Sequence, residues 1–202
     1  YYGFGAFVGY TMGAFSVVGD VSYTAVDNDV EANLPFDKVG ASLDSTNFSV
    51  GVTGKYELDF NGVSVAPHAG LRYSSIDIDD YSVDGQETYA HFSAQSMDVF
   101  SIPVGVTIAK DIVAGSWTVK PSFDLTLTGN FGDDEFEGDV DWEGVSNLVT
   151  QTSTEVLDNF TYGATLGVAA QTGNFSLGLG VNYTGSSNVD EFGVQANARF
   201  VF

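Results

Sequence analysis

The chain has 202 residues, of which 27 are acidic, 6 are basic and none is cysteine, giving a formal net charge of −21 at pH 7. Such a negative balance repels phosphate backbones, so we expect no nucleic-acid partner. Without cysteine, the chain can form neither a disulfide framework nor a thiolate metal site. Although 44% of its residues are hydrophobic, no apolar run reaches the roughly 18 residues of a membrane-spanning helix. The composition indicates one ordered domain without membrane helices.

The dominant pattern along the chain is a two-residue alternation. In "FSLGLGVNY", which begins at Phe175, aromatic and aliphatic residues occupy one face while serine, glycine and asparagine occupy the other. A period of two is typical of a β-strand with two unlike faces. The same alternation predicts nine strands, at approximately 1–12, 14–27, 46–60, 63–78, 98–110, 117–131, 160–171, 175–185 and 191–202.

The segments between these strands are of two kinds. Short connections contain glycine, as tight hairpin turns require, and lie near Met12-Gly13, Asn61-Gly62, Ala114-Gly115 and Gly173-Asn174. Longer acidic connections are expected at 28–45, 79–97 and 132–159, with a shorter one near 186–190. Short turns at one end and long loops at the other are typical of an outer-membrane β-barrel.

The chemistry of the two faces distinguishes a membrane barrel from a soluble barrel or sandwich. A soluble barrel turns its apolar residues inward and exposes a charged surface to water. Here the apolar face carries almost no charge, and the other face is small and rich in hydroxyl groups with a few ions. Only a closed barrel satisfies the backbone of strands in hydrocarbon. We therefore predict an all-β, transmembrane antiparallel barrel with the apolar face against lipid and a wet lumen.

The charged residues follow this division. By position, 22 of the 27 carboxylates lie in or beside the long connections, which predicts acidic loops at the cell surface. Four of the six basic residues fall on the inward face of strands, where carboxylates can pair with them. We expect these side chains to line the lumen as a structural ion network: Lys55, Arg72, Lys120, Arg199, Asp20, Glu57, Asp124 and the hydrogen-bonding His68.

The chain ends on two aromatic residues that belong to the apolar face. In "EFGVQANARFVF" the outward positions include Phe200 and Phe202, at the expected membrane boundary where aromatic rings are favoured. This ending resembles the assembly signal of Gram-negative outer-membrane barrels, which has a terminal phenylalanine, an aromatic residue two positions earlier and a polar residue further back, here Gln195. Asn197 stands where that pattern often has glycine. The resemblance implies recognition by the barrel assembly machinery.

Several segments resemble one particular family of barrels. "VSVAPHAGLRYSSI" (63–76), "FSIPVGVTIAK" (100–110), "VKPSFDLTLTGNFGD" (119–133) and the closing "NARFVF" are similar to the translocator domain of classical Gram-negative autotransporters. The resemblance covers the chain from about residue 46 to its end. It implies a barrel of about twelve strands that anchors an N-terminal passenger of the same polypeptide and helps to export it. It implies no cofactor.

The number of strands bears on how complete this barrel is. If Phe202 lies at the periplasmic end and every turn reverses the chain, the first of nine strands begins at the cell surface. A complete barrel begins in the periplasm and has an even number of strands. We therefore expect residues 1–202 to form one barrel domain whose first strands, about three of them, lie upstream together with the passenger.

A smaller barrel that acts alone, as an adhesin or a porin-like channel, is the alternative. An envelope enzyme is also considered, because His91 and Ser93 form an H-x-S pair that resembles the lipid A deacylase type of outer-membrane esterase. No oxyanion element accompanies this pair, so we predict no catalytic residue.

The acidic segment "DDEFEGDVDWEG" (133–144) resembles the start of a calcium-binding EF-hand loop. Its twelfth position is Gly144 instead of a bidentate glutamate, and Phe136 and Trp142 interrupt it. With only two histidines in the chain, a metal cluster has little support. A solvated surface loop without a metal site is therefore expected, with weak binding of cations as the alternative.

Overall fold

The chain is built of β-strands that pair in one sheet. The computed structural model describes residues 1–33, 38–85, 89–142, 149–155, 157–187 and 190–201. Nine strands are long: β1 (Tyr2–Met12), β2 (Phe15–Asn33), β3 (Lys38–Tyr56), β5 (Val63–Ile78), β8 (Gln95–Lys110), β10 (Trp117–Gly132), β13 (Phe160–Thr172), β14 (Phe175–Gly185) and β15 (Asp190–Phe200). Six are shorter: β4 (Leu58–Phe60), β6 (Tyr81–Asp84), β7 (Tyr89–Phe92), β9 (Ile112–Ala114), β11 (Glu135–Trp142) and β12 (Val149–Glu155).

The long strands are antiparallel neighbours in chain order. They run β1-β2-β3-β5-β8-β10-β13-β14-β15, and β4 and β9 extend two of the short hairpins. Within the described residues β1 pairs with β2 alone and β15 pairs with β14 alone, so the sheet has two open edges. The antiparallel all-β fold predicted from the two-residue alternation is confirmed, and each predicted strand corresponds to one long strand.

Glycine makes the short hairpin turns. Asn61 and Gly62 have φ angles of 55° and 80°, the pair of positive values that a type I′ hairpin turn requires and that asparagine followed by glycine adopts most readily. Gly13, Gly115 and Gly173 also have positive φ, at 61°, 63° and 53°. These turns set the register of the hairpins that they connect.

The sheet has no conventional hydrophobic core. No large side chain among the described residues is fully buried, and the buried apolar residues are few: Ala25, Ala66, Ala90, Met97, Val99, Ala109 and Val140. Large apolar side chains are exposed along every long strand, among them Leu166 at 58% and Leu179 at 62%. A water-soluble protein rarely exposes such a continuous apolar surface. The described residues include no helix with the length and hydropathy needed to cross a bilayer.

Beyond the ends of the other long strands, the acidic connections form short strands that continue the same sheet from β3. The hairpin of β6 and β7 pairs on one side with β3 and on the other with β11, which pairs in turn with β12. The rings of Tyr81 and Phe92 stack with centroids 4.7 Å apart, and burial raises the pKa of the Tyr81 phenol. The Ser93 hydroxyl accepts a hydrogen bond from the Asp139 amide at 2.9 Å. We call this part of the molecule, made of β6, β7, β11, β12 and residues 38–44, the loop sheet.

The loop sheet corrects the prediction that 28–45, 79–97 and 132–159 are loops. In β11, the exposed Glu135, Glu137 and Asp139 alternate with less exposed residues, and Val140 is 4% exposed. This is the pattern of a half-buried strand, which the acidic composition obscured. An extended β11 also rules out the EF-hand geometry considered for 133–144, because that geometry wraps the chain around the ion.

Candidate functional site

The polar face of the sheet carries an ion pair between strands that are not direct neighbours. Arg72 on β5 donates hydrogen bonds from Nη2 to both carboxylate oxygens of Asp20 on β2, at 2.9 and 2.7 Å. Its Nη1 donates to the Ser49 hydroxyl on β3 at 2.8 Å, and the Ser74 hydroxyl lies 3.1 Å from the same oxygen. Both charged side chains are partly exposed.

Glycine on the intervening strand allows this contact. Gly51 on β3 lies directly opposite both Asp20 and Arg72. A Cβ at this position would lie 2.9 Å from Arg72 Nη2 and 3.2 Å from Asp20 Oδ1. The guanidinium therefore crosses β3 where that strand has no side chain, and it lies flat on the sheet.

A second polar contact has the same construction on the other side of β5. His68 Nε2 lies 2.9 Å from Asp124 Oδ2 on β10, and the same carboxylate accepts hydrogen bonds from the hydroxyls of Thr107 at 2.7 Å and Thr126 at 2.8 Å. Gly105 on β8 lies directly opposite His68 on one side and Thr126 on the other, and a Cβ there would lie 2.6 Å from His68 Cε1. The two contacts make β5 the centre of a network that joins β2, β3, β5, β8 and β10.

The other basic residues predicted for the lumen have weaker partners. Lys120 Nζ lies 3.9 Å from Asp111 at an exposed position, and Glu57 accepts a hydrogen bond from the Ser64 hydroxyl at 2.8 Å. Neither Lys55 nor Arg199 forms an ion pair with any residue that the structure describes. Among the described residues, the partner of Asp124 is His68 instead of a lysine or arginine, and the partner of Glu57 is Ser64. Lys120 and Asp124 share a strand and are separated by about 13 Å of backbone, whereas His68 reaches Asp124 across Gly105.

The residues of the predicted assembly signal lie on both faces of β15. Gln195 is on the polar face, opposite Gly180, and Phe200 is on the apolar face, opposite Phe175. Phe202 lies outside the described residues, so the structure does not describe the terminal aromatic residue.

His91 and Ser93, considered above as an enzymatic pair, have separate partners. His91 Nδ1 lies 3.2 Å from the hydroxyl of Ser82, and its Nε2 lies 3.9 Å from Asp80 Oδ2. Ser93 instead contacts the backbone of Asp139. The described part of the chain contains no group of three or more His, Asp or Glu side chains arranged to hold a metal ion.

The apolar face carries two bands of aromatic side chains, which we call the upper and lower belts. In the upper belt, the rings of Phe4 and Tyr23 lie 5.6 Å apart and those of Tyr162 and Tyr183 lie 6.1 Å apart. The upper belt consists of Phe4, Tyr23, Phe48, Tyr73, Phe100, Phe131, Tyr162, Tyr183 and Phe192. The lower belt consists of Phe15, Tyr56, Phe60, Trp117, Phe175 and Phe200.

The distance between the two belts matches the height of the apolar band of a membrane-spanning barrel. Tyr183 and Phe175 are eight residues apart on β14, which spans about 27 Å of strand, or about 20 Å of depth at the usual tilt of barrel strands. Aliphatic side chains such as Leu179 fill the interval. Two aromatic girdles that flank an apolar band of about 25 Å are the signature of a membrane-spanning β-barrel.

An apolar face between aromatic belts, backed by a hydrogen-bonded polar face, defines the protein as a transmembrane β-barrel of the outer-membrane class. The model of the family described as "Autotransporter beta-domain" matches residues 1–184. This chain therefore belongs to the autotransporter β-domain family, and the resemblance seen in the sequence is confirmed. Membership places it in the bacterial outer membrane.

Individual relatives agree with this assignment. The chain is 25% identical over 123 residues to the IgA-specific serine endopeptidase autotransporter of Neisseria gonorrhoeae, covering 61% of this chain and 7% of that protein. Its fold is similar to the translocator domain of autotransporter NalP from Neisseria meningitidis, with a TM-score of 0.72, 14% identity, and coverage of 99% of this chain and 66% of that one. The chain thus spans a small part of the curated relative and about two thirds of the solved domain.

The Arg72 and Asp20 side chains provide a direct test of the polar network. A double-mutant cycle with Arg72→Gln and Asp20→Asn should show a coupling of about 1 kcal/mol, because Nη2 contacts both carboxylate oxygens but the pair is partly exposed to solvent. Denaturant unfolding in lipid vesicles measures it. The same cycle with Gly51→Ala present should lose most of the coupling, whereas Gly54→Ala, where a Cβ meets only ordinary contacts, should preserve it. Equal coupling in both backgrounds would contradict the role assigned to Gly51.

Adjacent residues on β13 test the assignment of the two faces. Leu166→Arg places a charge on the apolar face and should cost about 2 to 4 kcal/mol in stability if that face meets the middle of the bilayer. Thr165→Arg, one residue away on the polar face, should cost clearly less. Urea titration of the inserted protein in vesicles measures both, and similar costs for the two variants would overturn the assignment.

Proposed function

We propose that this chain is the translocator of an autotransporter: it anchors a passenger of the same polypeptide in the outer membrane and takes part in its export. The observation that carries this proposal is the family match over residues 1–184. The solved relative that shares its fold is itself called a translocator domain. The proposed partners are the lipid bilayer, the passenger and the barrel assembly machinery, and no catalytic role is assigned to the barrel.

The orientation follows from the two ends of the sheet. The end of the sheet that carries the loop sheet also carries most of the carboxylates of the described residues, among them Asp27, Asp29 and Glu31. The opposite end has only short turns such as Asn61-Gly62. Long extracellular connections and short periplasmic turns are the rule for bacterial barrels. The upper belt therefore lies at the outer leaflet, with the acidic loop sheet at the cell surface.

The two open edges support a barrel completed by further strands. An unpaired strand edge exposes backbone polar groups, which hydrocarbon does not tolerate. We propose that about three upstream strands of the same polypeptide lie between β1 and β15 and close the barrel. The number of strands in the barrel would then be even, as in other bacterial barrels. Residues 1–202 are then one part of a larger barrel domain.

In this barrel the polar face lines the lumen. Arg72 and His68 lie flat against the wall over Gly51 and Gly105, and each is held by a carboxylate, so the network stiffens the wall without filling the passage. The partly exposed Lys55 and the exposed Arg199 are the cations most available to a passing chain.

Export provides the first test. An epitope tag is placed in the passenger region of the natural polypeptide, and its accessibility to external protease is measured on intact Gram-negative cells. We expect the tag at the surface only when the barrel is folded, as shown by heat-modifiable gel mobility. Leu166→Arg, which impairs insertion, is the control that should lose the surface signal. A fully folded barrel whose tag never reaches the surface would refute the translocator proposal in favour of a barrel that acts alone.

The proposed assembly signal predicts a different defect. Deletion of Phe202 should reduce the amount of folded barrel in the membrane, because the assembly machinery loses its terminal aromatic residue. Barrels that do fold should export the tag at the normal rate. Replacing Phe202 with Tyr, which keeps the ring, is the matched variant and should assemble nearly as well. Normal assembly after the deletion would show that the last strand does not carry the assembly signal.

A further inference from the structure

Three carboxamide side chains lie in a row on the polar face of β14 and β15, and each is placed directly opposite a glycine. Asn182 faces Gly193, Gln195 faces Gly180 and Asn197 faces Gly178. A Cβ on these glycines would lie 2.5 Å from Asn182 Oδ1, 2.9 Å from Gln195 Nε2 and 2.7 Å from Asn197 Oδ1. Each amide therefore lies across the neighbouring strand. We call Asn182, Gln195 and Asn197 the amide ladder.

The amide ladder is available to a ligand. None of its side chains is buried: Asn182 is half-buried, and Gln195 and Asn197 are exposed. Within the described ranges, no hydrogen bond engages these three amides. Asn182 and Gln195 also line a groove of about 370 Å³, together with Thr126, Thr165 and Thr184.

This side of the polar face differs in charge from the side built around β5. There, charged groups satisfy each other through Arg72 and Asp20 and through His68 and Asp124. The ladder amides are neutral, and the charged residues of β15 on this face lie beyond them, Glu191 near one end and Arg199 near the other. Asp124 lines the same groove, but its carboxylate is engaged by His68, Thr107 and Thr126. The ladder itself offers neutral donors and acceptors, which neither attract nor repel a particular charge.

The spacing of the ladder corresponds to that of an extended polypeptide. Successive register pairs of the ladder are two residues apart, which is about 7 Å along a strand. An extended chain presents the N–H and C=O of every second residue on one side with the same repeat. A carboxamide has both an acceptor oxygen and donor hydrogens, so each rung can accept from an N–H and donate to a C=O of the same peptide strand.

We propose that the amide ladder binds the main chain of the passenger in extended form as it moves through the lumen. The proposal rests on the translocator function and specifies how the substrate is recognised: through peptide groups, which every sequence has. The bonds are individually modest in water, so a chain can be guided along the wall without being trapped there. A helical segment satisfies its own peptide groups and gains little from the ladder.

The first experiment measures the rate of export. Asn182→Ala and Asn197→Ala are combined in the full polypeptide with the tagged passenger, and surface exposure is followed by pulse-chase per folded barrel. We expect the rate to fall roughly threefold to tenfold, as the loss of one or two hydrogen bonds implies. This double variant keeps Gln195, a residue of the proposed assembly signal, so that a defect in assembly does not affect the measured rate. Adding Gln195→Ala should slow export further.

The matched control removes hydroxyl groups from the same face outside the groove. Thr118→Ala, Ser122→Ala and Ser176→Ala together should export at the rate of the natural protein. An unchanged export rate in the amide variants, or an equal loss of rate in the hydroxyl control, would contradict the role proposed for the amide ladder. Either result would leave the proposed translocator function intact. Absence of export by the natural protein would instead refute the translocator function itself.

The second experiment determines the conformation of the bound chain. Residues 1–202 contain no cysteine, so Asn197→Cys provides the one thiol of this part of the barrel for disulfide trapping. Cysteines are introduced one at a time along a passenger segment that is stalled in the lumen. Cross-linking at every second position supports an extended chain on the ladder. Cross-linking at every third or fourth position indicates a helix, and uniformly low cross-linking indicates no contact; either result contradicts the proposal.

Discussion

Hydrocarbon offers no hydrogen-bonding partner to a peptide group, and every feature of this chain follows from that restriction. Each strand that crosses the membrane must be paired on both sides, which favours hairpins in chain order with one register from end to end. The pairing of β2 and β3 is a clear case, because it is continuous from Asn33 and Lys38 next to their connection to Phe15 and Tyr56 at the opposite end. Side chains are then free to differ between faces, one suited to lipid and the other to water.

Glycine has a second role in this sheet beyond its turns. At Gly51 and Gly105, the absence of a side chain lets a long polar residue cross a strand and reach a partner two strands away. At Gly178, Gly180 and Gly193, it lets amides lie flat. The result is a wall in which the charges of Arg72 and Asp20 neutralise each other in place and these long side chains occupy little depth, while Lys55 and Arg199 lie outside the network. A passage for a polypeptide needs both properties, because free charges and protruding side chains would each impede the chain.

Much of the architecture was predictable because apolar and polar residues alternate along a membrane strand, and this alternation indicates which face meets lipid and which meets water. Strands such as β14 show one face suited to lipid and one to water over their whole length, and the turn at Asn61-Gly62 is encoded by two adjacent residues. The partners of Asp124 were not predictable in the same way. Contact with His68 depends on the register of three strands and on Gly105 between them, and no local pattern specifies it. The loop sheet was missed because acidic composition was given more weight than the alternation within β11.

The loop sheet has a consequence for recognition of the cell surface by antibodies. Its strands come from segments far apart in sequence, since β7 pairs with β11 and β6 pairs with β3. In the proposed orientation, an antibody that binds this surface contacts residues from several segments at once. Such epitopes are conformational, so sera raised against linear peptides from 79–97 or 132–159 should recognise the denatured chain better than the intact cell. Vaccines that present single loops of this barrel would for the same reason display shapes that the bacterium does not.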